Sequence, residues 1–296
     1  AADPKMKILN PVGQWNSSKI IFTEENVEYW LNGNKVLSFT PWSDEWYEKK
    51  NNSALITLNR PEKLNAWTPF MAEELASAIN EANKDSSIGA IVMTGAGKGF
   101  CAGADIEETF QTRIDGKDPG NDTQSGSGGM PKHVNWVKLI RESKPMIAAV
   151  NGAAVGIGIT MVLPFDIIMA SEKAKFGMFF IQMGLVPELA SSHFLVQRMG
   201  FGKASEMCLS GRLVKAEEAK ESNLIDFITS EDELLSEAMS KADEIGANPN
   251  PQLKMVKELL SLNGSEVDLE KAQERESALL RDCLLYTSDA ADETGR

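Results

Sequence analysis

Apolar residues along this chain follow two patterns, one typical of buried strands and one typical of amphipathic helices. Continuous apolar runs predict strands that are covered on both faces. Strands are predicted over residues 53–59, 88–94, 146–150 and 166–170, and the strand at 88–94 is predicted to be buried. Apolar residues at helical spacing predict helices over residues 69–85, 132–142, 158–163 and 190–199, and further helices after residue 215. Because strands and helices alternate, we expect an α/β fold with a mostly parallel sheet and right-handed crossovers.

The first 47 residues have a different pattern. Short runs of alternating apolar and polar residues flank Asn32 and Gly33, a dipeptide that favours a two-residue hairpin turn. A few strands cannot form a closed β core of their own. We therefore expect residues 1–47 to be a short β-rich leader that precedes the main domain.

Composition limits the classes of function. The net charge of −13 argues against a nucleic-acid-binding surface, because the chain offers no excess of cations to neutralise phosphates. The three cysteines and two histidines lack the spacing of a disulfide framework or a metal site. No apolar run reaches the ~18–20 residues that span a membrane, and the N-terminus does not resemble a signal peptide. We expect a cytoplasmic enzyme without a metal, nucleic-acid or membrane partner.

Two glycine-rich turns follow two of the predicted strands. The first reads Gly-Ala-Gly-Lys-Gly-Phe-Cys-Ala-Gly-Ala at residues 95–104, and the second reads Asn-Gly-Ala-Ala-Val-Gly-Ile-Gly at residues 151–158. Small residues let a ligand approach the backbone, whose N–H groups can stabilise an oxyanion. Two such donors brought together would form an oxyanion hole for a thioester enolate. The alternative is that the glycines only permit close packing of strand and helix.

Six segments, in order and with matching spacing, resemble the crotonase superfamily of enoyl-CoA hydratases and isomerases. They are Leu-Ile-Thr-Leu-Asn-Arg-Pro-Glu-Lys-Leu-Asn-Ala at 55–66, Cys-Ala-Gly-Ala-Asp-Ile at 101–106, Lys-Pro-Met-Ile-Ala-Ala-Val-Asn-Gly at 144–152, Pro-Phe-Asp-Ile at 164–167, Gly-Leu-Val-Pro-Glu at 184–188 and Ser-Gly-Arg-Leu-Val-Lys-Ala-Glu-Glu-Ala at 210–219. The resemblance implies a crotonase (ClpP-like) fold of repeated ββα units with a C-terminal helical region. It also implies an acyl-CoA thioester substrate, with coenzyme A present only as part of that substrate, and a homotrimer or hexamer.

The two ends of the chain depart from this family. Residues 10–47 resemble a fragment of the jelly-roll domain of 3-keto-disaccharide hydrolases, and we expect a foreign or fused leader rather than a working sugar-binding module. The crotonase domain is expected at residues 48–285. Residues 286–296 are polar where the family usually carries a last helix rich in Lys and Phe, so we expect an assembly scar. Absence of that helix would weaken substrate affinity and the oligomer.

The resemblance assigns the two oxyanion donors to the backbone N–H groups of Ala104 and Ile157. Hydratases of the family use two glutamates, which would fall at Thr160 and Phe180, and neither residue carries a carboxylate. Glu188 resembles the single acid/base of the Δ3,Δ2-enoyl-CoA isomerases.

Neighbouring apolar residues, Leu185 and Val186 among them, are expected to desolvate Glu188 and to raise its pKa. The alternative is that Glu188 only stabilises the N-terminus of the helix that follows.

Other polar residues are weaker candidates. Asp105 is expected to order the first turn, and Asp166 is expected to be structural. His193 lies about one helical turn beyond Glu188 and could tune its proton, although a local hydrogen bond is the commoner outcome for a helix-face histidine. Cys101 has no histidine near it in the sequence, so a nucleophilic role is not expected.

For coenzyme A, the resemblance points to Lys63 as a phosphate contact, to the backbone of Ala102 beside adenine, and to added charge from Arg60. The function expected is isomerisation of 3-enoyl-CoA to 2-enoyl-CoA. Three alternatives remain: hydration or thioester hydrolysis through the same enolate, a non-catalytic acyl-CoA-binding protein, and a carbohydrate-active protein led by the N-terminal segment.

Overall fold

The computed structural model describes residues 52–105, 130–131 and 133–283 in full, and the backbone of three short strands between residues 18 and 39 and of residues 284–293. The chain forms two units, Asn52–Ser261 and a second that combines Ala1–Asn51 with Leu262–Arg296. Within the described part of the chain, no helix is long and apolar enough to cross a membrane.

A parallel five-stranded sheet forms the centre of the Asn52–Ser261 unit. In spatial order its strands are β12 (Phe227–Thr229), β9 (Ile167–Ser171), β7 (Met146–Val150), β5 (Ala90–Gly95) and β4 (Ser53–Leu58). All residues of β5 and β7 are buried, which is why these strands read as continuous apolar runs. The four predicted strands are confirmed with their bounds within two residues.

A second sheet of four short strands lies in the same unit. Its order is β11 (Leu213–Lys215), β10 (Lys175–Gly177), β8 (Ala153–Val155) and β6 (Gly99–Cys101). The last three are mutually parallel, and β11 is antiparallel to β10. The sequence pattern did not predict these strands, because three residues are too few to show a period.

Eight helices are described. They are α1 (Pro69–Lys84), α2 (Trp136–Glu142), α3 (Ile157–Thr160), α4 (Ser191–Ser210), α5 (Ala216–Glu221), α6 (Leu234–Gly246), α7 (Asn250–Asn263) and α8 (Leu269–Glu293). Short 3-10 helices cover Pro61–Lys63 and Phe179–Met183. Helix α1 begins where it was predicted, because the Thr68 side chain accepts the N–H of Met71 and a proline opens the first turn.

Three predicted helices differ in extent from those observed. Helix α2 begins four residues later than predicted, because the Asn135 side chain caps it by accepting the N–H of Lys138 at 3.0 Å. Helix α3 has only one turn. Helix α4 continues to Ser210, with one non-helical residue inside it, Gly200.

The two faces of the five-stranded sheet are covered by different helices. On one face, Ala90, Val92, Ile147, Ala149 and Met169 pack with Leu234, Ala238 and Ala242 of α6. The intervening strand residues belong to the main core cluster, together with the buried faces of α1 and α2. Burial on both faces is what a parallel sheet requires, and the expected α/β class is confirmed.

The second unit contains a small antiparallel sheet. Strand β2 (Val27–Leu31) pairs with β1 (Ser18–Phe22) on one side and with β3 (Asn34–Phe39) on the other. Leu31 lies opposite Asn34, as expected for the predicted hairpin, although Asn32 and Gly33 lie outside the described residues.

Helix α8 does not end at residue 285, the expected end of the crotonase domain. It continues to Glu293, and the polar residues of the tail are therefore helical up to that point. Neither glycine nor proline occurs in this stretch before residue 295, so nothing in the sequence breaks the helix earlier. The expected boundary at residues 285–286 stays a prediction.

A buried cation anchors α7 to the core. The Lys257 side chain is 4% exposed, and its Nζ lies 2.7 Å from Oδ2 of Asp166. It also donates to the carbonyl oxygen of Lys144 at 3.0 Å. Burial lowers the pKa of Lys257, and the charge of Asp166 opposes that shift. Because Asp166 also accepts the N–H of Met146 at 2.7 Å, it has the structural role that the sequence predicted.

We expect Asp166→Asn to lower the free energy of unfolding by about 3 kcal/mol, because it leaves a buried ammonium group without its counter-charge. Adding Lys257→Met to that variant should recover most of the loss.

Since the pKa of Lys257 is lower in the folded than in the unfolded state, the free energy of unfolding should rise as the pH increases towards the ordinary lysine pKa. Urea unfolding of the wild type and the two variants near pH 7 measures the effect of the substitutions, and the same experiment on the wild type near pH 10 measures the effect of pH. A double variant as unstable as Asp166→Asn would contradict the role of the ion pair.

Candidate active site

The two glycine-rich turns meet at one end of the four-stranded sheet. Strands β6 and β8 lie within the two turns and are parallel neighbours, with Cys101 opposite Ala154, so residues 102–104 and 156–158, which follow them, leave the same edge. Contact between the turns is close: a Cβ placed on Gly158 would lie 2.2 Å from the carbonyl oxygen of Cys101. Segments about fifty residues apart in the sequence therefore form one backbone surface.

The N–H of Ala104 points away from the protein segment that holds its turn. Trp67 donates its N–H to the carbonyl of Gly103 at 2.8 Å and accepts the N–H of Asp105 at 2.8 Å. In a planar trans peptide the N–H lies opposite the C=O, so the Ala104 N–H is directed away from Trp67. It finds no acceptor among the described residues. Gly103 has φ +109°, a conformation that favours glycine.

The N–H of Ile157 is the first of helix α3. The carbonyl of Gly156 accepts the N–H groups of Ile159 and Thr160 at 3.2 and 3.1 Å, so the N–H on the same peptide points out of the helix N-terminus. This amide also has no acceptor within the described residues. Because α3 has one turn, its dipole adds less to the site than the longer helix predicted from the sequence.

Two asparagines that the sequence analysis did not single out hold the first turn. Asn65 is buried, and its Nδ2 donates to the carbonyls of Gly99 at 2.8 Å and Ala96 at 3.0 Å. Asn151 donates to the carbonyl of Gly97 at 2.8 Å and accepts the N–H of Gly95 at 3.2 Å. Both asparagines lie in segments that resemble the family. Their amides can donate and accept hydrogen bonds, and this property beside a glycine-rich turn could have identified them from the sequence.

The two positions at which family hydratases carry glutamates hold no acid in this structure. Thr160 is fully buried, and its hydroxyl lies 3.5 Å from the carbonyl of Ile157, to which it donates. Phe180 is partly buried in the 3-10 helix and packs against the main core. Neither side chain can serve as a general base.

Glu188 lies in the irregular segment between that 3-10 helix and α4, and it is half-buried. Its carbonyl accepts the N–H of Ser191 at 2.9 Å. Leu185 and Val186, two of the apolar residues expected to desolvate its carboxylate, are 39% and 80% exposed, whereas Leu189 is 9% exposed. The expectation that the pKa of Glu188 is raised stays a prediction. Consecutive residues outside a helix or strand share no inward face, which the sequence pattern alone does not reveal.

Three further side chains near these elements have distinct environments. His193 is exposed, and its ring makes an edge contact with Phe194 at 5.4 Å between centroids. The buried hydroxyl of Ser191 has no hydrogen-bond partner in the described part of the chain. Burial raises the pKa of the Cys101 thiol to about 11, which agrees with an inert role for this cysteine.

The three residues predicted to bind coenzyme A are not equivalent. Lys63 is exposed at the end of the first 3-10 helix, and its contact with a phosphate stays a prediction. Ala102 is partly exposed, and its N–H is bonded to the carbonyl of Leu64 at 3.0 Å. Arg60 uses its guanidinium within the protein, on Asp105 at 3.1 Å and on the carbonyl of Ala66 at 2.7 Å. Among the described residues, no group of three His, Cys, Asp or Glu could hold a metal ion.

Comparison with known proteins gives two family matches. Residues 48–289 match the enoyl-CoA hydratase/isomerase family. Residues 1–67 match the 3-keto-alpha-glucoside-1,2-lyase-like domain, in agreement with the resemblance noted for the leader.

Individual relatives agree with the first match. A protein of Rhizobium meliloti named "Probable enoyl-CoA hydratase" is 37% identical over 219 residues, covering 72% of this chain and 79% of that protein. The 1,2-epoxyphenylacetyl-CoA isomerase of Escherichia coli K12 is 32% identical over 231 residues, covering 74% and 84%. The crystal structure of an enoyl-CoA hydratase from Polaromonas sp. JS666 has a TM-score of 0.69 at 28% identity, covering 78% and 88%. By sequence and by fold, this chain belongs to the enoyl-CoA hydratase/isomerase family.

Proposed function

We propose that this chain isomerises 3-enoyl-CoA to 2-enoyl-CoA thioesters, with Glu188 as the single acid/base. One observation carries this proposal: the two positions used by the glutamates of hydratases hold Thr160 and Phe180, whereas Glu188 remains. Hydration needs a base to activate water and an acid to protonate carbon. Isomerisation needs one carboxylate that removes a proton and returns it elsewhere.

The chemistry follows from two amides and one carboxylate. Glu188 takes a proton from C2 of the 3-enoyl thioester, and the electrons of that C–H bond move towards the thioester carbonyl. The resulting enolate oxygen accepts the N–H groups of Ala104 and Ile157, neither of which has an acceptor among the described residues. The protonated Glu188 then delivers the proton to C4, and the double bond moves to C2–C3. No water or redox partner is consumed.

Hydration is the main competing reaction, because the named relatives include enoyl-CoA hydratases as well as an isomerase. In this chain Thr160 and Glu188 together would have to activate the water. A hydroxyl can orient water but cannot remove its proton near pH 7. The residue identities at positions 160, 180 and 188 therefore support isomerisation over hydration.

The proposal is tested with a trans-3-enoyl-CoA, by following the absorbance of the conjugated 2-enoyl product. A parallel assay offers the 2-enoyl-CoA and follows loss of its conjugation through hydration. We expect the first reaction to proceed and the second to be absent. Hydration without isomerisation would make the chain a hydratase. Binding of a saturated acyl-CoA without turnover of either substrate would make it an acyl-CoA-binding protein.

Lys63→Ala is expected to raise KM by about fivefold, which corresponds to about 1 kcal/mol for an exposed ionic contact, and to leave kcat unchanged. Added salt should reduce the difference from wild type. Lys84→Ala, which removes another exposed lysine at the end of α1, is the matched control and should change neither parameter. An unchanged KM for Lys63→Ala would remove this residue from the substrate site.

A further inference from the structure

Arg60 and Asp105 form an ion pair beside the first glycine-rich turn, at a place where the reaction itself needs no charge. We infer that they are positioning residues, whose ion pair keeps the N–H of Ala104 directed at the thioester oxygen. This inference rests on the proposed function, because it assumes that the N–H of Ala104 stabilises an enolate. It replaces the direct contact with coenzyme A that the sequence suggested for the guanidinium.

The direction of the Ala104 N–H is set by a backbone bridge, and the bond from the Ala102 N–H to the carbonyl of Leu64 joins the same two segments. Trp67 pairs with Ala104 in an isolated parallel bridge that belongs to no named strand. A longer ladder would be held by neighbouring rungs, whereas an isolated bridge is held only by its own two hydrogen bonds. Rotation of the peptide that follows Gly103 would turn the N–H away from the substrate. Contacts outside the bridge therefore help to hold the direction of the Ala104 N–H.

The guanidinium of Arg60 supplies that support by binding both sides of the bridge. Its Nη1 donates to the carbonyl of Ala66, the residue before Trp67, at 2.7 Å. Its Nη2 donates to Oδ2 of Asp105, the residue after Ala104, at 3.1 Å. Because a guanidinium is planar and its donors have a fixed spacing, one rigid group sets the separation of the two segments.

Burial gives this pair more weight than a surface ion pair. The Asp105 side chain is 7% exposed and that of Arg60 is 26% exposed, so water screens the pair incompletely. The backbone N–H of Arg60 is itself held by Oδ1 of the buried Asn65 at 2.8 Å. The arginine is thus placed at both ends, by its backbone and by its guanidinium.

Positioning and direct binding of coenzyme A predict different kinetics. If Arg60 contacted the phosphates, its loss would raise KM and Kd in a salt-dependent manner. If it positions the oxyanion donor, kcat should fall by about tenfold or more, while KM and Kd change by less than about twofold. Asp105→Asn should reproduce the effect of Arg60→Met, although an aspartate cannot bind a phosphate by charge. In the double variant the two losses should not add.

A spectroscopic probe reports the oxyanion donors without requiring isomerisation. The conjugated thioester 4-dimethylaminocinnamoyl-CoA absorbs at longer wavelength when hydrogen-bond donors polarise its carbonyl. We expect a red shift on binding to the wild type, and a loss of about half or more of that shift in Arg60→Met and Asp105→Asn, with Kd nearly unchanged. Arg60→Lys keeps the positive charge but loses the two donors at fixed spacing, and it should give an intermediate red shift.

Arg198→Met is the matched control for a merely structural loss. Its guanidinium also joins a carboxylate, Asp226 at 3.1 Å, to a backbone carbonyl, that of Phe165 at 3.2 Å. This variant should lower the melting temperature and retain the full red shift. If Arg60→Met does not fold, Asp105→Asn and Arg60→Lys, which keep the size or the charge of the side chain, still decide the question.

Each outcome bears on a different claim. A full red shift in Asp105→Asn and Arg60→Met would overturn the positioning role, and so would a rise in Kd that accounts for the loss of kcat. Absence of a red shift in the wild type would overturn the oxyanion hole, and with it both the inference and the proposed function. A wild-type red shift that the variants lose, without turnover of trans-3-enoyl-CoA, would uphold the inference and overturn only the isomerase.

Discussion

Glu188→Gln is expected to lower kcat for isomerisation by a factor of about 10³ to 10⁴, because it removes the one group that takes and returns the proton. Acyl-CoA affinity should stay within about twofold, since the amide keeps the size of the carboxyl group and the oxyanion donors are untouched. Initial rates with trans-3-enoyl-CoA and calorimetric titration with a saturated acyl-CoA measure the two quantities separately.

A purely structural role for Glu188 predicts a different result. As a carboxylate before α4 it would stabilise the helix by about 0.3–1 kcal/mol, and its loss would leave kcat nearly unchanged. Glu172→Gln, at an exposed position after β9, is the matched control and should retain full activity. Full activity of Glu188→Gln would remove the single-carboxylate mechanism.

Gly158→Ala is expected to lower the free energy of unfolding by about 3 kcal/mol or more and to reduce kcat by about 10² or more. The new Cβ would lie 2.2 Å from the carbonyl oxygen of Cys101, and a backbone oxygen between two paired strands cannot move aside as a flexible side chain can. The two turns must separate, and the N–H of Ile157 would then move relative to that of Ala104. Urea unfolding and the isomerisation assay measure the two losses.

Gly202→Ala provides the control for the chemical change itself. Gly202 lies within α4, and nothing is within 4 Å of the position its Cβ would take. The same substitution there should stabilise the protein by about 0.5–1 kcal/mol and leave the kinetics unchanged, because alanine favours a helix over glycine. Equal stability of Gly158→Ala and wild type would contradict the close contact between the turns.

The elements that the sequence predicted well are those in which burial alone decides the pattern. Strands β5 and β7 are buried on both faces and are long enough for an apolar run to be read. Helix α1 combines a capping threonine, a proline in the first turn and an apolar stripe. The strands of the second sheet have three residues each, and their pairing depends on partners far along the chain. No local period could have revealed them.

The candidate site divides in the same way. Local motifs were sufficient to select Ala104, Ile157 and Glu188 as candidates, because each follows a family-like glycine or proline signature. The side-chain environment of Glu188 was not predictable, since the exposure of Leu185 and Val186 depends on how the irregular segment leaves the 3-10 helix. The functions of Asn65 and Asn151 as supports of the turn emerge only when distant carbonyl groups are brought to them.

By itself the sequence determined the family, the order of the buried strands and helices, and the absence of carboxylates at the two hydratase positions. These properties depend only on residue identities and on the local spacing of apolar residues. The tertiary structure decided which way the Ala104 N–H points and that Arg60 binds Asp105, 45 residues away in the chain, rather than standing free for substrate. Peptide orientation and ion pairing depend on the relative placement of segments, which is set when strands pair and the elements pack. No single segment contains that information.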